Sequence, residues 1–267
     1  MQYDLVKRSL GNVFNRNLFL RKCFYVLLDL LLLRTWHIKK ELRRIKKILP
    51  VDAQILDAGA GFGQYAYYMS KLGRRWQIKA VDVKDEQVND CNRFFEKIGR
   101  SERVQFETAD LTTFCEPDKY CLAISIDVME HIPDDMAVFR NIYASLKTGG
   151  MLLISTPSDA ADNRHDTFID EHVRYGYNID ELRNKLTEAG FSEVEAKYTY
   201  GHTGHISWLL SIKYPMQMLR ISKIFFIFLP CYHLVTFPFC LLLNLLDVMT
   251  THKSGTGLKV IATKKTV

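Results

Sequence analysis

The stretch that most constrains the fold runs from Ile55 to Gly63, where a short apolar run ends at Asp57 and three glycines follow at alternate positions. The segment after it, 64–72, has the pattern of a helix. Glycine lets a ligand approach the backbone closely, and the first N–H groups of a helix lack partners within it. The turn therefore suits a nucleotide-like ligand. No Gly-Lys-Ser/Thr follows and the third glycine comes too early, which excludes the P-loop and dinucleotide fingerprints.

Residues 53–156 alternate strand and helix patterns, which predicts a parallel sheet with helices on both faces. Predicted strands at 77–83, 103–107, 121–126 and 151–155 follow the first one. An acid stands at each of four predicted strand ends: Asp57, Asp82, Asp110 and Asp127. Ligands bind outside the carboxyl ends of the strands in such sheets, so these acids are expected at one edge. Asp82 lies about twenty residues after the glycine turn, where an acid meets ribose hydroxyls; a helix cap is the alternative.

The segment from Ile55 to Gly63 resembles the first motif of class I S-adenosylmethionine-dependent methyltransferases. Further segments resemble the family's later motifs in the same order: Asp82, Ala109-Asp110-Leu111, Asp127 to Asp135, and Lys147 to Gly150 before the strand that ends at Thr156-Pro157. The resemblance implies an α/β, Rossmann-like seven-stranded sheet that binds S-adenosyl-L-methionine. The cofactor-binding residues that it implies are Asp57, Ala58, Gly59, Gly61, Asp82, Val83, Asp110, Leu111 and Asp127. In the family, the glycine turn wraps the methionine part, the second acid holds the ribose and the third contacts the adenine amino group.

Methyl transfer requires no enzyme nucleophile, because the sulfonium already carries a good leaving group. A hydroxyl acceptor must lose its proton, and His131 and His172 are the candidate bases. Asp127-x-x-Glu130-His131 with the later His172 is similar to ubiquinone-pathway and small-RNA 2′-O-methyltransferases, which bind a divalent metal through Glu-x-x-Glu-His and a later His. This similarity implies Mg, Mn or Zn at Glu130, His131 and His172, although Asp127 departs from the pattern. The alternative is that Glu130 and His131 only cap or pack this turn.

The first fifty residues are predicted to be helical and to cover the domain. From Trp36 onward, Ile38, Leu42, Ile45 and Leu49 recur at helical spacing, with basic residues on the other face. Residues 34–47 contain seven basic residues and one acid, so this segment accounts for the net charge of +6. The segment is either a cover helix with solvated charges or a basic amphipathic helix on an anionic membrane. Basic residues concentrated in one segment do not form the stripe, interleaved with aromatic residues, that is typical of an RNA-binding surface.

A hydrophobic insert separates the last two predicted strands, at 191–199 and 257–264. The predicted organisation is a helical cover at 1–50, a methyltransferase domain at 51–201 and 254–267, and a helical insert at 202–253. The apolar part, Ile224 to Leu246, contains Pro230 and Pro238, which are expected to divide it into a re-entrant or interfacial helix pair. The strands before and after the insert lie side by side in the sheet, so a chain that enters a membrane between them must return on the same side. This argues against a single membrane span. A buried subdomain or a homodimer interface is the alternative.

Three function classes follow. The first is O-methylation of a hydrophobic or lipid-linked small molecule by a cytoplasmic enzyme held peripherally, as a monotopic protein, on a membrane surface. The second is methylation of a soluble sugar or RNA, with the insert forming a dimer; nucleic acid is the weaker partner. The third, a non-catalytic scaffold, conflicts with the intact set of acids and glycines. Six cysteines without CxxC spacing are typical of free thiols in a reducing cytosol.

Overall fold

The computed structural model describes residues 17–160, 173–222 and 224–265. The core is one seven-stranded sheet of order β3-β2-β1-β4-β5-β7-β6. All strands run parallel except β7, which is antiparallel to both neighbours. The strands are β1 (Gln54–Ala58), β2 (Gln77–Asp82), β3 (Val104–Thr108), β4 (Tyr120–Ile126), β5 (Leu146–Pro157), β6 (Phe191–Thr199) and β7 (Gly257–Lys264). The predicted Rossmann-like fold is confirmed.

Helices cover the sheet and form the segment before β7. They are α1 (Leu18–Leu31), α2 (Leu33–Ile45), α3 (Gln64–Leu72), α4 (Asp85–Lys97), α5 (Asp135–Ser145), α6 (Ile179–Glu188), α7 (His202–Trp208), α8 (Tyr214–Ile221) and α9 (Phe225–Met249). A 3₁₀ turn spans Met129–His131, and a π-helical turn at Leu209–Lys213 joins α7 to α8. The division of the chain into three parts stays a prediction.

Local sequence signals explain several element boundaries. Asn178 caps α6, as predicted, because its Oδ1 accepts hydrogen bonds from the N–H groups of Asp180 (3.0 Å) and Glu181 (3.4 Å). Helix α3 and the strands β6 and β7 have the predicted bounds. Ile55 and Leu56 are both fully buried although they face opposite sides of β1, as expected for a central strand covered on both faces.

Helix α2 packs as a cover on the domain. Its apolar residues Ile38, Leu42 and Ile45 are buried, whereas Arg43 and Arg44 on the other face are exposed. The helix ends at Ile45, and turns follow before Pro50, so the predicted helical pattern extended one turn too far. Burial of the apolar face agrees with the cover interpretation of this segment.

Helix α1 holds the glycine turn from outside. The hydroxyl of Tyr25 donates to the carbonyl oxygen of Phe62 at 2.6 Å, and Arg21 Nη2 donates to the same oxygen at 3.1 Å. Arg21 is buried and also donates to the carbonyl oxygen of Asp90, in α4. Helix α1 is therefore bonded directly to the turn that starts α3.

The prediction that Pro230 and Pro238 break the insert is wrong. Helix α9 continues through both, and the reversal of the chain falls after Ser222 instead. Each proline removes one backbone donor, but both rings are exposed, where no packed neighbour opposes a local adjustment of the helix. Helices α7 and α8 with their π turn form the other arm. The hydroxyl of Tyr232 joins the arms by donating to the carbonyl oxygen of Leu210 at 2.7 Å.

Candidate active site

The glycine turn lies between the end of β1 and the start of α3. The N–H groups of Gly59 and Ala60 both donate to the carbonyl oxygen of Val81, at 2.9 and 3.0 Å, which fixes the turn against β2. Gly59 has a φ of +87°, and a Cβ there would lie 2.3 Å from Cγ2 of Val128. Only glycine fits this position without a shift of the β4 loop.

Asp57, at the end of β1, is a buried carboxylate. Its Oδ2 is buried and has no hydrogen-bond partner among the residues that the structure describes. Burial, reinforced by the nearby carboxylate of Asp82, raises the pKa of Asp57 to about 7. A buried acceptor without a partner is costly unless a ligand satisfies it. The cofactor's α-ammonium group has the charge and donors that this oxygen lacks, so the residues present fit S-adenosylmethionine.

Asp82, at the end of β2, holds the turn from the other side. Its Oδ2 accepts from the N–H of Gly61 at 2.8 Å, and its Oδ1 accepts from the N–H of Lys84 at 3.0 Å. The side chain of Val83, next in the chain, is 63% exposed. The turn and β2 thus present a carboxylate beside an apolar surface, although ribose binding by Asp82 stays a prediction.

Asp110 follows β3 at the same edge of the sheet. The N–H of the preceding residue, Ala109, donates to the carbonyl oxygen of Asp82 at 3.1 Å. Asp110 Oδ1 accepts from the N–H and the hydroxyl of Thr112, both at 2.8 Å, and these bonds lower the pKa of this exposed carboxyl. Leu111 and Ala58 are buried. The contact of Asp110 with adenine is not tested by these bonds.

Asp127, after β4, forms an ion pair that the sequence did not predict. Its carboxylate contacts the guanidinium of Arg34, on α2. The backbone N–H of Arg34 donates to the hydroxyl of Tyr200, which follows β6, at 3.0 Å. Tyr65, in the first turn of α3, also hydrogen-bonds the Arg34 side chain. In the sequence, Arg34 is one of the seven basic residues of the segment 34–47, and nothing in that pattern indicates a contact with Asp127.

The Glu130-His131 pair lies in the 3₁₀ turn that follows. Glu130 is buried, and its Oε2 accepts from the hydroxyl of Thr156 at 3.0 Å. Burial raises the pKa of this carboxyl. His131 is half-buried, and His172 lies outside the described residues. Within the ranges that the structure describes, no three His, Cys, Asp or Glu side chains are grouped to hold a metal ion. The predicted metal set is thus not supported, and Glu130 has a structural partner.

Comparison with known proteins identifies this arrangement. A family model described as a methyltransferase domain matches residues 33–196, more than half of the chain. Phosphoethanolamine N-methyltransferase 1 of Arabidopsis thaliana is 32% identical over 157 residues, which are 57% of this chain and 31% of that enzyme. A ubiquinone biosynthesis O-methyltransferase of Xanthomonas campestris is 28% identical over 106 residues, 39% of this chain and 43% of the relative. The match spans about a third of the plant enzyme's length.

Solved structures share the fold at low identity. Phosphoethanolamine N-methyltransferase 2 of Haemonchus contortus, solved with phosphomonomethylethanolamine and S-adenosylhomocysteine, gives a TM-score of 0.58 at 18% identity and covers 86% of this chain and 53% of its own. The [4+2]-cyclase SpnF gives 0.60 at 18% identity, over 88% and 82% of the two chains. Because a cyclase shares the fold, the fold alone does not fix the reaction. The chain belongs to the methyltransferase domain family and has the fold of the class I S-adenosylmethionine-dependent methyltransferases.

Proposed function

We propose that this enzyme methylates a hydroxyl of a hydrophobic or lipid-linked small molecule, as a peripheral, monotopic protein on the cytoplasmic surface of a membrane. One observation carries the proposal: the insert leaves the sheet at the edge where the cofactor acids lie. Thr199 ends β6 and Gly257 starts β7 at the same register position, beside Pro157 at the carboxyl end of β5. An acceptor that reaches the insert from a bilayer is therefore near the cofactor edge.

The insert has the dimensions of a segment that enters one side of a bilayer. Among the described helices, α9 is long and apolar enough to cross a membrane. Only 11% of its most apolar 18-residue stretch is buried inside the protein. None of its first fifteen residues, 225–239, is buried, whereas Cys240, Leu243 and Asp247 near its end are. Fifteen helical residues rise about 22 Å, less than the hydrocarbon core of about 30 Å. The projecting part is thus suited to insertion rather than to crossing.

The distribution of exposed apolar residues favours lipid over a second copy of the chain. Phe226, Ile227 and Phe228 are 71%, 71% and 58% exposed. Three successive residues point to different sides of a helix, about 100° apart, so a single partner surface does not cover them all. Leu234 and Val235 continue this exposure along α9. A hydrocarbon environment would cover every side of the hydrophobic hairpin, the pair of helical arms at 202–221 and 225–249.

The proton of a hydroxyl acceptor needs a base at the cofactor edge. His131 follows Asp127 by one turn and is half-buried, and we assign it this role. The cofactor, when bound, supplies the electrophilic methyl group and leaves as the thioether. The protein orients the hydroxyl oxygen toward that methyl group, and His131 takes up the hydroxyl proton as the new C–O bond forms.

N-methylation is the second candidate, and the plant and nematode relatives named above favour it. An amine acceptor is cationic before it loses its proton, and the carboxylate of Asp127, 26% exposed, has the charge to hold it. A phosphobase would then reach the same edge either from solution or as a lipid headgroup.

Two measurements test the proposal. Vesicle flotation with phosphatidylcholine and phosphatidylglycerol should carry the wild-type protein, and a variant with Phe226→Ser, Ile227→Ser and Phe228→Ser should stay in the soluble fraction. A matched control with Ile48→Ser and Val51→Ser, which are 70% and 69% exposed outside the insert, should still float. A soluble wild-type dimer that separates in the triple variant would support the dimerisation alternative instead.

The second measurement identifies the acceptor class. Labelled S-adenosylmethionine is incubated with lipid and soluble extracts, and the labelled product is hydrolysed to distinguish methyl ethers from methylamines. Label in ethers of the lipid fraction is the expected result. Label only in soluble amines would overturn O-methylation at the membrane and favour the second candidate.

A further inference from the structure

Helix α1 turns its polar residues toward the protein. Arg21 and Tyr25 are buried, and both donate to the carbonyl oxygen of Phe62 in the glycine turn. One turn further along the helix, the carboxylate of Asp29 accepts from Nε2 of Gln64, at the start of α3, at 2.8 Å. Positions 21, 25 and 29 recur every four residues, so they form the side of the helix that faces the domain.

The opposite side of α1 is apolar and exposed. Its residues, here called the outer stripe, are Phe19, Cys23, Val26, Leu27 and Leu30. The four apolar side chains other than Cys23 are between 37% and 70% exposed. Residues three or four positions apart lie on one side of a helix, so the stripe is continuous along α1. A helix on a water-soluble domain normally has the reverse arrangement, with its apolar side buried.

The outer stripe lies beside the hydrophobic hairpin. Leu32 alone separates α1 from α2, and a Cβ added at Gly204, in the first arm of the hairpin, would lie 2.5 Å from Cδ2 of Leu33. The stripe ends at Leu30, one turn before this contact. Because α1 is also bonded to the glycine turn, both exposed apolar surfaces lie at the cofactor edge.

A lipid bilayer fits the two surfaces together. A protein partner would have to match both the stripe and every side of the projecting hairpin, whereas a bilayer presents hydrocarbon to both. The exposed side of α1 has the ammonium group of Lys22 at its flank. The one acid of this helix, Asp29, is paired with Lys39 of α2. An apolar stripe flanked by a cation is typical of a helix that lies in the interface of a membrane with anionic headgroups.

We propose that α1 is a second membrane contact, which lies in the plane of the interface with its outer stripe toward the acyl chains. This inference rests on the proposed function and adds a contact on the element that holds the glycine turn. With α1 and the hairpin both on the bilayer, the cofactor edge lies at the membrane surface. A lipid-linked acceptor therefore reaches this edge without leaving the interface.

Cys23 provides a probe within the stripe. It is labelled with a nitrobenzoxadiazole group in a Cys115→Ser, Cys231→Ser variant, and vesicles of phosphatidylcholine and phosphatidylglycerol are added. We expect the emission to shift to the blue and to be quenched by lipids that carry a quencher on the acyl chain. The same label on Cys115 is the matched control. Cys115 is exposed and lies beside Ser145, at the amino end of β5 and away from the cofactor edge, so its label should stay in water.

Substitutions measure the strength of the contact. Phe19→Ser, Val26→Ser and Leu30→Ser together should weaken vesicle binding at least about tenfold, because less apolar surface leaves water. Lys22→Gln should weaken binding to vesicles with phosphatidylglycerol about fivefold and leave binding to pure phosphatidylcholine unchanged. Thermal melting and S-adenosylhomocysteine binding check that the variants fold. Equal vesicle binding of the stripe variant and the wild type would contradict the proposal.

The outcomes separate this inference from the proposed function. Flotation of the labelled protein with an unshifted label on Cys23 would overturn the contact of α1 and leave the hairpin as the membrane contact. Absence of both flotation and shift would overturn both proposals. A label that is already blue-shifted without vesicles would show that protein, not lipid, covers the stripe, and a dependence of that shift on protein concentration would identify a second copy of the chain.

Discussion

Oδ1 of Asp247, near the end of α9, lies 2.8 Å from Nε2 of His37, in the cover helix α2. Asp247 is fully buried, and its other oxygen accepts from the N–H of Gly204, at 2.9 Å. His252 also contacts this carboxylate, at 3.2 Å. The base of the hydrophobic hairpin is therefore bonded both to the cover helix and to the start of its own first arm.

Removing this carboxylate should loosen the hairpin. We expect Asp247→Ala to lower the free energy of unfolding by about 1.5–3 kcal/mol, the scale of hydrogen bonds to a buried charged group. Limited proteolysis should then cut within 202–253 before it cuts the sheet. Glu188→Ala, at an exposed ion pair with Arg140, is the control and should cost little. Equal stability of the two variants would contradict an anchoring role for Asp247.

The same contact predicts a pH dependence. Burial lowers the pKa of His37 below its ordinary value. Burial acts to raise the pKa of Asp247, but the hydrogen bond with His37 and its other partners outweigh this effect and leave that pKa lowered. A depressed histidine binds fewer protons in the folded state than in the unfolded chain, so stability falls as the pH drops below about 6.5. We expect His37→Gln to reduce this acid sensitivity in thermal unfolding between pH 7 and pH 5. The same slope in the variant would show that His37 does not cause it.

Asp57 should make folding stability change with pH in the opposite direction to His37. Its folded pKa of about 7 lies above the ordinary value for an aspartate, so the folded state holds the proton more tightly and stability falls as the pH rises from about 4 to about 7. Asp57→Asn should remove that loss and should stabilise the cofactor-free protein at pH 8 by about 1–3 kcal/mol, the cost of a buried polar group without a partner. Thermal unfolding without cofactor measures both effects.

Cofactor affinity should respond to the same carboxyl group. An ammonium ligand requires ionised Asp57, so calorimetry should show S-adenosylmethionine binding weakening by about tenfold for each pH unit below 7. Asp57→Asn should bind weakly and without this dependence. A flat pH profile for the wild-type protein would remove Asp57 from ammonium binding.

Asp82 should contribute to cofactor affinity through its carboxylate. We expect Asp82→Ala to weaken binding by about 1.5–3 kcal/mol, because it removes an acceptor for ribose hydroxyls and also frees the N–H of Gly61. Glu86→Ala, at an exposed acid in α4, is the control. Calorimetry with S-adenosylhomocysteine measures both variants, and equal affinity with an intact fold would exclude the ribose assignment.

The glycine turn offers a paired steric test. Gly59→Val should abolish cofactor binding, because the added Cβ collides with Val128 and the φ of +87° is strained for valine. Gly99→Ala introduces a side chain at a φ of +66° with no atom within 4 Å of the new Cβ, away from the site. It should lose some stability but keep cofactor affinity. Loss of binding in both variants would indicate a general effect on folding.

Chelation tests the metal ligands implied by the family resemblance. Because the carboxylate of Glu130 is buried and already accepts from Thr156, we expect dialysis against a chelator to leave methyl transfer unchanged. His131→Ala should lower the turnover number and leave cofactor affinity intact, as expected for a base. Activity lost on chelation and restored by Mg, Mn or Zn would return Glu130, His131 and His172 to a metal site.

The cofactor edge was predictable because its signals are local. Asp57 ends an apolar strand and precedes three glycines, and the strand ends of a parallel sheet bring Asp82 and Asp127 to the same edge. Arg34 was not predictable, since its contact with Asp127 joins residues almost a hundred positions apart. The continuity of α9 through Pro230 also depends on exposure of the proline ring, and this exposure cannot be read from the sequence.

The shared register position of Thr199 and Gly257 makes the long insert equivalent to the loop of a β-hairpin. Lengthening such a loop costs the sheet little, about 0.6 kcal/mol for each doubling of a flexible loop. The segment between these two residues can therefore change in length and polarity while the seven strands stay paired. Replacing this segment would place the same cofactor-binding edge beside a different membrane or protein surface. The new segment would have to supply a partner for His37.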